Sequence, residues 1–449
     1  MKKEIGIFSL LAVLCGVTAA MNPRFLSQTN LTNMANVIGL FGVFSIGLGL
    51  VIITGGIDLS VGSMCALTGV LLAMALSEWT WGSPRLSGRD IKDTQTLIIK
   101  LRDTANPVST FLWNELSYSQ QQDLSASSSK EQATQEVVRA LNQIIQTKSI
   151  YEKNRFAGIS LSSATEAMAK EEARGKKLLQ LNRRLIEAAY PQEIAPQKKW
   201  PWLAATSLVL IIPMLLGWGH GWLVTRMNMQ PFIVTLCGLL LYRGIARFIA
   251  NDGTKGFAGA SGIDSLRFLS SGRLFRITDS LSSRETFAGI PMPFVILVIV
   301  AVVMWFVLHR SIYGRYLLAV GRNEQAARFS GINTRLVIAS AYIIAGLLTG
   351  ISGIMIAFYT NSVSPSNHGN FYELYGIAAA VLGGCSLRGG EGSIIGIVIG
   401  TALLQVLQNL VNLLGIPSSL NFAVMGAVVL FGVLADTIFQ KRSAKKSVQ

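Results

Sequence analysis

Gly55-Gly56-Ile57-Asp58-Leu59-Ser60-Val61-Gly62 is a glycine-rich break between two apolar runs, residues 34–54 and 61–77. A hydrocarbon core of about 30 Å takes roughly 17–25 apolar residues to cross as a helix, and both runs qualify. A break at that depth is stable only where protein or a cavity surrounds its backbone, as in transporters with interrupted helices. Outward from it lie eight more runs, near 5–21, 201–225, 231–250, 289–309, 334–359, 375–384 (short), 393–413 and 420–438. The fold class expected is therefore all-α, a polytopic helical membrane protein of about ten spans.

Composition agrees once it is divided along the chain. Hydrophobic residues make up 51% of the 449, the mean hydropathy is +0.46, and the net charge is +15. Residues 78–200 hold 18 bases and 14 acids, whereas the other 326 residues carry 21 and 10. The chain reads as spans 1–77, a helical extracytoplasmic insert 78–200, spans 201–440 with a loop at 310–335, and a basic tail 441–449. A basic surplus scattered at span ends orients helices, so no nucleic acid is expected as a partner. Membrane lipid is.

Lys2 and Lys3 precede the first span, and Lys441, Arg442, Lys445 and Lys446 follow the last. An even span count places both termini in the cytoplasm by the positive-inside rule. Loop 310–335 falls on that side, with Arg310, Arg315, Arg322, Arg328 and Arg335 against Glu324. The outer loop 251–288 also has five bases, which weakens the test. Residues 1–21, the first span, also have the features of a signal peptide. Trp79, Trp81, Trp200 and Trp202 bracket the insert as an interfacial belt would.

Candidate chemistry is sparse. Cys15, Cys65, Cys237 and Cys385 lie in or beside apolar spans and read as buried packing residues. His220, His309 and His368 are far apart, so no metal site, cofactor or catalytic residue is expected, and no phosphate-binding loop occurs. Gly392, Gly396 and Gly400, like Gly346 and Gly350, recur every fourth residue, a helix-packing face. Gly383-Gly384-Cys385-Ser386-Leu387-Arg388-Gly389-Gly390 matches the first octet at four positions, hinting at a parallel repeat. Gly55, Gly56, Asp58, Ser60, Gly383, Gly384 and Ser386 are the candidate broken-helix pathway residues. Asp58 with Ser60 reads either as a helix cap or as a translocation residue. Among intramembrane carboxylates only Asp58 and Asp436 stand out.

In loop 310–335, Asn323 can cap a short helix carrying Ala326, Ala327 and Arg328, which Gly331 would end. Exposed on the inner side, such a small-residue helix suits docking into a partner's groove. Gly321, Asn323, Glu324, Ala326, Ala327 and Gly331 are the candidate coupling residues.

The run Gly321 to Ile332, G-x-N-x-x-A-A-x-x-S-G-I, resembles the coupling-helix loop of permeases of ribose-type ABC sugar importers. Val51 to Ser63 is similar to that family's most specific signature. Pro231 to Leu236 with Tyr242-Arg243-Gly244 resembles its middle motif, and Glu373 to Gly390 its C-terminal one. Four motifs in order implicate the family across most of the chain outside the insert. The resemblance implies a permease subunit importing a monosaccharide, such as ribose, xylose or galactose, across the inner membrane. It also implies a homodimer, a cytoplasmic ABC ATPase that hydrolyses ATP in its own chain, and a periplasmic sugar-binding protein. The family usually has Asn before Gly221, Thr at position 385 and Asp at position 375; His220, Cys385 and Tyr375 stand there. An ion-coupled secondary transporter of a small polar solute is the alternative.

The insert is expected to be helical. Ser128-Ser129-Lys130-Glu131 and Ser163-Ala164-Thr165-Glu166 read as capping boxes. Apolar stripes follow each, at Val137, Leu141 and Ile144 and at Leu178, Leu181 and Leu185, suiting a hairpin.

Overall fold

The two runs that flank the first break are helices α2 (Gln28–Ile53) and α3 (Val61–Ser77). This computed structural model describes residues 2–77, 79–81, 198–257, 260, 262–278, 285–417, 420, 423, 424, 426, 427 and 430. The capping boxes of the insert, Asp436, most of the tenth run and the basic tail lie outside the described residues. Ahead of the break comes α1 (Lys2–Met21), joined to α2 by a 3-10 turn at Pro23–Leu26. Beyond the insert follow α4 (Trp202–Arg226), α5 (Pro231–Ala250), α6 (Asp264–Ser271) and α7 (Met292–His309). Two short helices, α8 (Ile312–Arg322) and α9 (Glu324–Phe329), lead into α10 (Thr334–Thr360). The chain continues through α11 (Tyr372–Leu382) and α12 (Ile394–Leu413). The polytopic helical reading holds: among the described residues, seven helices are long and apolar enough to cross a membrane, with α3 and α11 shorter.

Burial separates centre from rim. Over their most apolar eighteen residues, α2 and α10 are 83% and 78% buried, against 6%, 22%, 28% and 22% for α1, α4, α5 and α7. A helix apolar all round belongs inside protein; α3 obeys, with every residue from Val61 to Leu76 buried. At 1.5 Å per residue, its 17 residues reach about 25 Å and the 11 of α11 about 16 Å, short of a full crossing. Their freed backbone groups need protein partners, and the central position supplies them.

The small-residue faces close the packing. A Cβ on Gly396 would strike the Gly383 backbone, and one on Gly346 the Pro213 carbonyl, so neighbouring helices meet main chain to main chain. Cys65 and Cys385 are buried as expected and Cys15 partly so, but Cys237 lies on the exposed face of α5. It sits there with Phe232, Ile233, Leu240 and Leu241, a face coated with large apolar groups.

Among the described residues, four two-stranded ladders tie the connections. β1 (Thr80–Trp81) pairs antiparallel with β2 (Lys198–Lys199), closing the two ends of the insert on each other. β3 (Lys255–Gly256) pairs with β8 (Ser362–Val363), β4 (Arg273–Leu274) with β7 (Ile290–Pro291), and β5 (Ile277–Thr278) with β6 (Glu285–Phe287). The chain divides into two units, residues 1–79 with 200–449, and residues 80–199.

Candidate functional site

Both broken stretches leave their helices through the same backbone turn. At the end of α2, Gly55 N–H donates to the Ile52 carbonyl at 2.9 Å and Gly56 N–H to that of Val51 at 3.0 Å. At the end of α11, Gly384 N–H donates to Val381 at 2.9 Å and Cys385 N–H to Ala380 at 2.9 Å. This pair of bonds is the Schellman closure, whose pivot residue takes the left-handed conformation that favours glycine. Gly55 (φ +84°) and Gly384 (φ +87°) are the pivots. The structural equivalence is thus Gly55 with Gly384, one residue away from the octet alignment, which matched Gly55 to Gly383. The turns repeat; the side chains that follow do not.

In the first stretch the turn is followed by a buried polar knot. Asp58, 1% exposed, accepts from Ser60 N–H at 2.9 Å and from the Ser60 hydroxyl at 2.6 Å. The Ser60 side chain is thereby committed and does not cap α3, although its carbonyl accepts the first helical bond, from Met64. The cap comes from elsewhere in the chain. Glu373, at the start of α11, takes the Gly62 N–H on its carboxylate, placing negative charge at the positive end of the α3 dipole. Gly62 must lack a side chain, because a Cβ there would overlap both Glu373 Oε2 and the Gly369 carbonyl.

Helix α5 braces the first broken stretch and the segment that leads into α11. The Thr235 hydroxyl donates to the Ile57 carbonyl at 3.1 Å. Two turns on, Arg243 Nη1 donates to the Pro365 and His368 carbonyls, and its charge acts on Glu373. Between them, Tyr242 OH pairs with His220 Nε2 at 2.8 Å, both side chains buried. The three residues that depart from the family pattern are all packed in place. His220 has Tyr242, the Tyr375 hydroxyl accepts from Gln408 at 2.6 Å, and Cys385 is 4% exposed.

Glu373 and Arg243 are the site residues that the sequence reading left out, together with His220, Tyr242 and Thr235. The signal was present: a charged residue within an apolar span is a functional candidate. Glu373 fell just ahead of the run taken to begin at 375, so it was quoted only within the C-terminal motif and not weighed as an intramembrane charge.

The second stretch is held by main chain. Ser386 N–H donates to Glu391 O at 3.1 Å, Gly389 N–H to Ser386 O at 2.9 Å, and Arg388 N–H to Ser386 Oγ at 3.3 Å. Gly390 N–H reaches across to the Ile53 carbonyl at 2.8 Å. Gly383 lies against α12, and the space beside Gly384 faces Ile7 of α1. Ser386 therefore bonds within its own loop, apart from the Asp58–Ser60 knot.

In the 310–335 loop, Asn323 Oδ1 accepts from Ala326 N–H at 2.9 Å and caps α9, and Gly331 takes φ +82° just beyond it. Glu324, Ala326 and Arg328 are exposed. Ala327 is not: at 5% exposure it lies in the main core with Val320 and Ile338. The exposed apolar side chain is Phe329, at 90%. Gly321 faces inward, against Ile53 and Gly390. Among the described residues no group of His, Cys, Asp and Glu is arranged to hold a metal ion.

A family model described as branched-chain amino acid transport system / permease component matches residues 156–433, more than half of the chain. The chain belongs to this permease family. Curated relatives include a ribose import permease of Bacillus subtilis, 37% identical over 225 residues, spanning 50% of this chain and 64% of that protein. The ribose import permease of Escherichia coli K12 is 36% identical over 52% of this chain and 68% of its own. The xylose transport system permease of the same organism is 31% identical over 54% and 73%. The permease thus spans somewhat less than two thirds of the Bacillus protein. No solved structure matches it.

Proposed function

We propose that this permease is the membrane subunit of an ABC importer that carries a monosaccharide across the inner membrane. The observation that carries the reading is the coincidence, in one chain, of a buried broken-helix core with a capped surface helix at 324–329. That chain's relatives are ribose and xylose permeases. In this reading a separate ATPase subunit grips α8–α9 from the cytoplasm, and a sugar-binding protein delivers cargo on the opposite side. Two permease copies form the pathway, and lipid covers apolar faces such as that of α5. ATP binding and hydrolysis alternate the pair between outward- and inward-facing states by differential contacts. Gly55, Gly56, Asp58, Ser60, Gly383, Gly384 and Ser386 shape the broken helices; Gly321, Asn323, Glu324, Ala326, Ala327 and Gly331 shape the coupling loop.

Orientation draws support from where charge collects. Glu4 near the start of α1 accepts from the Ser393 hydroxyl and acts electrostatically on His309, so the N-terminus lies beside the end of α7 that opens into the 310–335 loop. Lys2, Lys3 and the five loop arginines then share one end, the cytoplasmic one by the positive-inside rule. The buried carboxylates do not demand ion coupling: Glu373 is occupied by Gly62 and opposed by Arg243, and Asp58 by Ser60.

The test is uptake into vesicles holding the permease with and without its ATPase and binding protein, using labelled ribose, xylose and leucine. ATP-dependent uptake of a pentose is expected. Leucine in its place would redirect the substrate to the family's printed description, and uptake driven by an ion gradient without ATPase would overturn the importer reading.

A further inference from the structure

Three segments that are remote in sequence meet at one point, largely main chain against main chain. They are the end of α2 at Ile53–Gly55, the end of α8 at Gly321–Arg322, and Gly389–Gly390 of the second broken stretch. Gly390 N–H donates to the Ile53 carbonyl at 2.8 Å, capping one of the acceptors that a helix end leaves open. A Cβ on Gly321 would overlap that same carbonyl and the Gly390 nitrogen. One on Gly389 would stand 2.7 Å from the Gly321 carbonyl and 2.9 Å from the Gly55 nitrogen. One on Gly390 would overlap Arg322 Cγ and stand 2.8 Å from the Arg322 nitrogen. Apart from that Cγ, these obstacles are main-chain atoms, which cannot rotate aside.

Gly321 is the informative member. Gly55, Gly389 and Gly390 have φ of +84°, +85° and +76° and need glycine for conformation alone. Gly321 sits in the last turn of α8, inside helix Ile312–Arg322. There alanine is favoured over glycine by about 1 kcal/mol. Its glycine therefore serves the contact and not the backbone.

We infer that this junction is the positioning element through which movement of the 310–335 loop reaches both broken stretches, with Gly321 as its contact residue. The inference rests on the importer reading above. Packed main chain cannot deform gradually, so a shift of α8 carries Ile53 and Gly390 with it or breaks the contact.

The experiment uses the full chain assembled with its ATPase in lipid vesicles. Gly321→Ala is expected to insert and to co-purify with the ATPase, because the exposed face of α9 is untouched. Transport per ATP hydrolysed is expected to fall about tenfold, the scale of a coupling residue. Wild-type vesicles are run alongside: if they fail to transport, the importer reading fails, whereas normal wild-type transport with an unchanged ratio in Gly321→Ala overturns the junction alone. Should the variant not fold, hydrogen exchange on the wild-type complex decides. With ATP bound, the Gly390 amide and residues 54–60 should change protection together with 321–331. A change confined to the loop would refute the inference.

Discussion

The two broken stretches leave their helices by the same turn and are then secured by opposite means. After Gly55, the chain is pinned by buried side chains: Asp58 to Ser60, Thr235 to Ile57, and Glu373 to the amide of Gly62. After Gly384, the bonds are main chain to main chain or to a serine, and Leu387 is 47% exposed. Buried polar groups are costly to unpair, whereas exposed loop bonds exchange readily with water. The first stretch is thus the fixed member and the second the adjustable one. Identical glycines in the two octets conceal that division, since they specify the turn and nothing after it.

The sharpest way to break this contrast is to remove Glu373. Glu373→Ala leaves the half-buried Arg243 without its opposing charge and the Gly62 N–H without an acceptor, an expected loss of about 2–3 kcal/mol. Thermal unfolding in detergent should show it, and Glu373→Gln, which keeps an acceptor oxygen, should recover part. Little change in unfolding temperature for Glu373→Ala would mean that the knot does not secure the first stretch. Asp58→Ala comes next. It unpairs the Ser60 amide and hydroxyl, for about 1–3 kcal/mol. The matching cut in the second stretch, Ser386→Ala, removes one exposed acceptor and should cost less than about 0.5 kcal/mol. Equal losses for Asp58→Ala and Ser386→Ala would erase the distinction.

Much of this architecture was legible in residues 34–77, because span length and the period of apolar runs report burial directly. The capped helix at 324–329 was legible too, since Asn323 and Gly331 carry their conformational preferences with them. What escaped was every feature set by distant partners. Glu373 caps a helix more than 300 residues earlier, a pairing that no local pattern records. Ala327 was read as exposed because small residues suit both a docking face and a close core contact, and its burial in the main core depends on residues remote in sequence. The one-residue offset between the octets arose because four identities, mostly glycine, carry less information than two hydrogen bonds.

Alanine at the two pivots sharpens that register. A Cβ at Gly55 would come no nearer than 3.8 Å to Arg388 O, and one at Gly384 no nearer than 3.6 Å to Ile7. Both positions have room, so Gly55→Ala and Gly384→Ala should each lose only the left-handed penalty of about 1–2 kcal/mol. Asparagine should cost less at both. Gly383→Ala, aimed at the backbone of Gly396, should instead fail by collision. Similar unfolding temperatures for Gly55→Ala and Gly383→Ala, with Gly384→Ala unaffected, would restore the octet alignment.

The smallest expected effect on stability falls at the surface of the coupling loop, where it isolates docking from folding. Phe329 is 90% exposed, so Phe329→Ser removes almost no buried area and should shift stability by less than about 0.5 kcal/mol. Ala327→Arg, two residues earlier, forces a cation into the core beside Val320 and should unfold the α8–α9 corner before it touches any partner. Co-purification with the ATPase separates the pair: Phe329→Ser should yield intact permease with less ATPase bound, and Ala327→Arg should yield little intact permease at all. A stable Phe329→Ser permease that still retains its ATPase would move the docking contact off the apolar tip of α9 and onto its charged side, at Glu324 and Arg328.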